Sequence, residues 1–207
     1  MNSNKTRERV LDASLKLFNE KKASNVSTVQ ISASMKMSPG NLYYYYANKE
    51  EVIRCILNER MLGELNDLID SCGKAEDAES LLSFLRSVVN HCLKFKFFYV
   101  EMPTLFVNDN SLIEINAEII DKVKTAVRSL YGKWTADGRA CEEYAEGIDM
   151  ITDNALAVLK GAIAECDAAA IGGAKKDAQI NIALTRLTAY LMPLFTEKMK
   201  EEISSLS

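Results

Sequence analysis

The chain has 207 residues, 48% of them hydrophobic, with only nine glycines and three prolines, so it can bury one substantial core and favours helices over turn-rich β architecture. No apolar run approaches the roughly 18 residues of a membrane span, and the N-terminus has no apolar signal-peptide core; a cytoplasmic protein with no membrane partner is expected. The net charge of −4 hides an asymmetry: residues 1–60 hold ten Lys/Arg against six Asp/Glu, while the rest of the chain carries −8, which suggests a basic head that alone meets a polyanion.

Val10, Ala13, Ser14, Leu17 and Phe18 fall on one face of a helix expected over about Lys5–Lys21. Three further helix starts follow in quick succession. Ser27 with Gln30 reads as a capping box, with Val26 and Ile31 as its hydrophobic staple. Ser38 and Pro39 are a cap and a favoured first helical residue, with Met37 and Leu42 repeating the staple. Asn48 caps a third start, and Glu50 and Glu51 suit the positive end of that helix. Two short helices joined at Met35–Ser38 form a helix-turn-helix.

Within it, the run Tyr43–Tyr46 is resolved by helical spacing. Leu42 and Tyr46 share an inward face, Tyr44 points outward, and Tyr43 and Tyr45 flank it. Three exposed aromatics on one turn call for a partner, and a short exposed helix suits the major groove of DNA.

The stretch "TVQISASMKMSPGNLYYYYANKEEVI" resembles the DNA-binding signature of the tetracycline-repressor (TetR) family of bacterial transcription regulators, over about residues 7–58. The resemblance implies that Thr28 and Lys49 contact phosphates and that Pro39, Gly40, Asn41, Tyr43 and Tyr44 lie in or beside the groove. Tyr45 stands where the family usually has a phosphate-binding histidine, and Tyr46 replaces its core phenylalanine. Lys22 and Lys36 occupy positions where the family commonly has glycine. Either these lysines adopt a left-handed conformation, at about 1–2 kcal/mol each, or the loops differ locally.

Beyond residue 58 the pattern remains helical. A long helix leaves the head from Asn48, one or two more stop before Pro103, another covers about 110–134, and two close the chain at about 141–166 and 178–203, with a loop at 167–177 between them. The expected fold is all-α: a three-helix head over 1–48 and a larger body of about nine helices over 49–207, serving effector binding and dimerisation. Ile151, Ala155 and Leu159, with Leu184, Leu187 and Leu191, form apolar seams on the last two helices. They read either as internal core or, as the resemblance implies, as a four-helix interface between two copies. The aromatic cluster around 91–106 reads either as core or as an effector pocket, with His91, Phe95, Phe98 and Met102 as candidate lining for an apolar small molecule.

The function expected is a DNA-binding regulator: a homodimer on a palindromic duplex operator, released by a small effector. The alternatives are a helical small-molecule carrier or a protein-interaction module. Catalysis finds no support: there is no glycine-rich phosphate loop, no metal-ligand spacing and one histidine. No cofactor is expected. The five cysteines, Cys55, Cys72, Cys92, Cys141 and Cys166, form no Cys-x-x-Cys pair and read as small buried apolar residues, with redox sensing the lesser alternative.

Overall fold

Residues 3–173 and 175–206 are described by the computed structural model. Among them run eleven α-helical segments, and the only extended pairing is an isolated bridge between Ala140 and Phe195. The chain packs as two compact units: residues up to 64 with 94–117, and residues 65–93 with the chain from 118 onward. The expected division at 48/49 is not where the packing divides. The helix after Lys94 belongs with the head, because its side chains complete the head's core.

In the first unit, α1 (Ser3–Lys21) buries Val10, Leu11, Ser14, Leu15 and Phe18. The stripe is the expected one, rotated enough to leave Ala13 and Leu17 half-buried. All three caps are made. In α2 (Thr28–Ser34) the Gln30 N–H donates to Ser27 Oγ at 3.3 Å and the Ser27 N–H to Gln30 Oε1 at 2.8 Å. In α3 (Pro39–Tyr43) the Asn41 N–H donates to Ser38 Oγ at 3.2 Å. In α4 (Lys49–Cys55) the Glu51 N–H donates to Asn48 Oδ1 at 2.8 Å. The staple residues Val26, Ile31 and Leu42 are buried.

α4 does not run straight on. It passes through a π-helical turn, Ile56–Met61, into α5 (Leu62–Cys72). The π turn faces α1 with charge. Arg7 donates to Glu59 at 2.7 and 2.5 Å, while Arg60 donates to Glu8 Oε2 at 2.8 Å and also reaches Asp12. The hydrogen bond from Arg7 holds the Glu59 carboxyl below the usual carboxylate range. Burial, seconded by Glu59, pushes the neighbouring Cys55 thiol up.

Both family-glycine positions have lysines with positive φ: 69° at Lys22 and 55° at Lys36. At Lys36 the cause is plain. Its N–H donates to Ala33 O at 3.1 Å and that of Met37 to Ser32 O at 3.0 Å, the paired bonds of a Schellman helix end. That motif places its closing residue in the left-handed region whatever the side chain.

Ala23, in the 3-10 turn Ala23–Asn25, is fully buried. Its N–H donates to Glu101 of α7 (Lys96–Asn108), and its carbonyl accepts from Lys49 Nζ at 2.8 Å. Glu101 also accepts from the Ser24 N–H at 3.1 Å and the Ser24 hydroxyl at 2.5 Å. The other end of α7 is fixed too: Asn19 donates to Lys94 O at 2.8 Å and accepts from the Phe97 N–H at 3.1 Å. Phe97 packs on Phe18 with ring centroids 5.4 Å apart, and Phe98 on Tyr99 and Phe106 at 5.6 and 6.3 Å. α7 runs through Pro103 rather than stopping before it; the break falls at Phe95, and Pro103 sits on an exposed position where its missing backbone bond is best tolerated.

In the second unit, α6 (Ala78–Lys94, its last residue excepted) and most of α8 (Ser111–Ala136) accompany α9 (Ile148–Ile171), α10 (Lys176–Leu191) and α11 (Glu197–Leu206). Trp134 is buried, donates its indole N–H to Ala75 O at 2.8 Å and packs against Phe195 at 5.6 Å. α9 pairs with α10 through buried Leu159, Ala162, Ile163 and Cys166 on one side and Ile180, Ala183 and Leu187 on the other. Three sequence expectations change here. α9 starts later and runs farther than expected, so the loop shrinks to a few residues around the tight turn at Gly172 and Gly173. The last expected helix is two, because Pro193 cannot donate and the chain bends through a 3-10 turn, Met192–Leu194. Residues 142–144 form a 3-10 turn rather than the opening of α9.

Two outcomes follow from these local geometries. Lys36→Gly removes the left-handed penalty at the cost of a more flexible unfolded chain, and should stabilise the protein by about 1 kcal/mol, or roughly 2–4 °C in Tm. Glu101→Ala leaves the buried Ala23 N–H without its acceptor and should cost about 3 kcal/mol in urea unfolding, with Glu101→Gln recovering part of the loss.

Candidate nucleic-acid interface

The cap at Ser38 decides what α3 shows. With Pro39 as first helical residue, Leu42 turns inward and is fully buried, and Tyr46 follows it one turn later. Pro39, Gly40, Asn41, Tyr43 and Tyr44 are left exposed, Tyr44 at 78% and Tyr43 at 52%. The four tyrosines thus have three roles. Tyr46 is core: its hydroxyl donates to Arg7 O at 3.4 Å, the Arg7 guanidinium lies 5.4 Å over its ring, and burial pushes its phenol up. Tyr45 is half-buried, and its ring stands edge-on to Tyr44 at 5.1 Å, fixing that ring's direction. Tyr43 and Tyr44 are presented outward.

Tyr43 is held as well. Its hydroxyl lies 3.1 Å from Thr28 Oγ1, at the opening of α2. These two residues line an open groove of about 450 Å³ together with Ser27, Asn48 and Lys49. Hydroxyls, the amides of Asn25 and Asn48 and the Lys49 ammonium supply donors that suit an anionic oxygen, while Glu50 adds one carboxylate to the rim. The groove joins the starts of α2 and α4 to the end of α3, so Thr28, Tyr43 and Lys49 are brought together. Lys49 differs from a free phosphate ligand in one respect: one of its three N–H groups is committed to Ala23 O. It ties α4 to the turn before α2 while its remaining donors stay available.

The other candidate residues are not gathered in this way. Phe95 and Phe98 are wholly buried in the first unit's core, and Met102 is half-buried on the same helix, whereas His91 is buried in the second unit. Of the seam residues, Leu159 on α9 and Leu187 on α10 are buried within the chain, on two helices that pack together. Ile151, Ala155, Leu184 and Leu191 remain half-buried.

Two residues escaped the sequence reading. Glu101 carried a signal: it is the one charge in "FFYVEMPTLF", three residues after Phe98 and hence on its inward face. Val29 is 57% exposed on α2; its signal was a β-branched residue between a cap and the buried Ile31, on the face opposite the core.

Two family models match the chain. One, described as bacterial regulatory proteins of the tetR family, covers residues 10–55; the other, described as a bacterial transcriptional repressor, covers residues 60–203. Among curated proteins none matches the sequence. Among solved structures, a TetR-family transcriptional regulator from Marinobacter aquaeolei VT8 is 23% identical, with a TM-score of 0.80 over 100% of this chain and 97% of that one. SmeT, the repressor of the Stenotrophomonas maltophilia multidrug efflux pump SmeDEF, is 14% identical, with a TM-score of 0.66 over 93% and 92%. NalD, the secondary repressor of the Pseudomonas aeruginosa MexAB-OprM multidrug efflux pump, is 17% identical, with a TM-score of 0.63 over 95% and 100%. The likeness to these structures establishes the shared fold, and the two models together span the head and the helices beyond it. The chain belongs to the TetR family of bacterial transcriptional regulators.

Proposed function

We propose that this regulator binds a palindromic DNA operator as a homodimer, through α3 and the opening of α2, and represses transcription until a small apolar effector releases it. The observation that carries the DNA contact is the exposed row Pro39, Gly40, Asn41, Tyr43 and Tyr44, presented on a capped short helix beside the donor-lined groove at Thr28 and Lys49. The basic balance of residues 1–60 supplies the attraction, and the acidic remainder of the chain keeps other surfaces away from the phosphates. The protein then acts in the cytoplasm, where its target lies; no helix among the described residues is long and apolar enough to cross a membrane. No catalytic step is assigned to it.

The dimer and the effector are supported by the family. The half-buried Ile151, Ala155, Leu184 and Leu191 are the seam positions available to a second copy, while Leu159 and Leu187 serve the α9–α10 packing. An apolar effector is in keeping with solved relatives that repress multidrug efflux pumps. Its binding would have to favour one of two states of the dimer to release DNA.

Gly40 offers a test that separates folding from binding. A Cβ added there would meet only Ser38 Oγ, at 4.0 Å, and the backbone is an ordinary helical one, so nothing within the chain requires glycine. Gly40→Ala should therefore stabilise the free protein by about 0.5–1 kcal/mol. If this helix lies against the groove, the same methyl should weaken duplex binding by roughly tenfold, equivalent to 1.4 kcal/mol. A stabilised variant with undiminished DNA affinity would remove α3 from the interface.

Dimerisation is tested at a half-buried position. Leu184→Asp should give a folded chain that sediments as a monomer and binds the duplex poorly. A wild-type chain that is monomeric at micromolar concentration would overturn the dimer, and binding of hydrophobic metabolites without duplex binding would favour the carrier reading.

A further inference from the structure

On the exposed side of α2 the side-chain oxygens are engaged, and the Gln30 amide nitrogen is left as the donor. Gln30 Oε1 is occupied by the Ser27 N–H at 2.8 Å and the Ser27 hydroxyl at 3.2 Å. Thr28 shares its hydroxyl with Tyr43. Ile31 and Ser32 face inward and are buried. Val29 and Ala33, at i and i+4, share one exposed face, and the exposed Lys36 follows beyond the helix end in the turn that precedes α3. Val29 is 57% exposed at the second position of the helix, beside the groove residue Thr28.

A valine is a poor choice there for the isolated chain. It is a weaker helix former than alanine by roughly 0.6 kcal/mol, and its apolar surface stays in water. A side chain with no donor and no acceptor can recognise one feature on the major-groove edge of a base pair, the C5-methyl group of thymine. The setting fits such a contact: the surrounding residues 1–60 carry a net positive charge, and the adjacent groove offers the donors of Thr28, Tyr43, Asn48 and Lys49.

We propose that Val29 is a specificity-determining residue, packing on the methyl group of a thymine in each operator half-site. This inference rests on the DNA-binding reading of α2 and α3 and goes beyond it by assigning a base and an atom. Tyr44, in edge contact with Tyr45, is exposed on α3 but carries a hydroxyl, so Val29 is distinct from it in having no donor or acceptor. Val29 makes no phosphate contact, so it contributes to sequence preference and not to salt dependence.

The test uses the full chain and a duplex recovered by selection from a random 24-base-pair library. That duplex is resynthesised with deoxyuridine replacing thymidine at one position at a time, which removes a methyl group and leaves pairing and phosphates unchanged. The wild-type protein should bind about fourfold more weakly when the thymine beneath Val29 is replaced, the effect of one buried methyl-sized group. Val29→Ala should bind the thymine and uracil forms of that position alike, keep its sensitivity at other thymines, and keep the wild-type salt slope. Its urea midpoint should equal or exceed the wild-type value, since alanine favours the helix. Wild-type affinity indifferent to uracil at every position overturns the inference while leaving DNA binding intact. So does a Val29→Ala variant that still senses every thymine as the wild type does. Failure of the wild-type protein to select any duplex overturns the DNA-binding reading itself, a different and recognisable result.

Discussion

Ala23 is fully buried, and both polar groups of its backbone meet side chains distant in sequence: its N–H donates to Glu101, and its carbonyl accepts from Lys49 as well as from the nearby Val26 N–H. A buried peptide group must find partners, because losing one costs the full desolvation of the group left behind. Here the partners come from α7 and α4, so the turn between α1 and α2 is fixed by two other helices at one point. Moving α7 along its axis would withdraw Glu101 from Ala23 and Ser24. Moving the start of α4 would withdraw Lys49. The entry to α2, and with it Thr28 and the groove beside Tyr43, depends on this junction.

The remaining attachments of the head are of a different kind. Arg7 with Glu59, and Arg60 with Glu8 and Asp12, join α1 to the π turn through largely exposed charge pairs, which contribute modestly and weaken with salt. Arg54 with Asp109 joins α4 to the residues just before α8. Burial there pushes the Asp109 carboxyl up, but the bonds from Ser111 and Arg54 together hold it below its usual range. Apolar burial of Phe18, Leu42, Tyr46, Phe97 and Phe98 supplies the bulk of the cohesion, and the polar contacts choose the register in which those side chains meet. The π turn is one irregular stretch of backbone between α4 and α5, and it carries Glu59 and Arg60, the residues that pair with α1.

The presented surface follows from the same core. Burying Leu42 and Tyr46 on one side of a five-residue helix leaves Tyr43 and Tyr44 no place but the other side, and Thr28 and Tyr45 then hold those two rings. A reader that is rigid before binding loses little side-chain entropy on contact. The recognition surface is thereby a consequence of how the head packs, with one turn of helix divided between core and partner.

Local chemistry determined a good part of this protein. Caps, staples and helical spacing are short-range, so Ser27, Ser38 and Asn48 marked three helix starts, and Leu42 and Tyr46 marked the inward face, without any knowledge of neighbours. The exposed residues of α3 were legible for the same reason. Tertiary structure alone decided matters in which two distant segments compete for one side chain. Periodicity could say that Phe95, Phe98, Leu159 and Leu187 face something apolar, but not what; in the folded chain all four are buried, Phe95 and Phe98 in the first unit and Leu159 and Leu187 in the second. Helix ends in the second unit moved for local reasons, since the high helix propensity of Ala168–Ala170 carried α9 through a stretch that looked like a loop, while Pro193 enforced a break that the seam had masked. Lys49 was legible as a surface cation and Glu101 as a lone charge among aromatics. Their meeting at Ala23 was not, because sequence separation hides a contact that only the folded backbone brings within hydrogen-bonding distance.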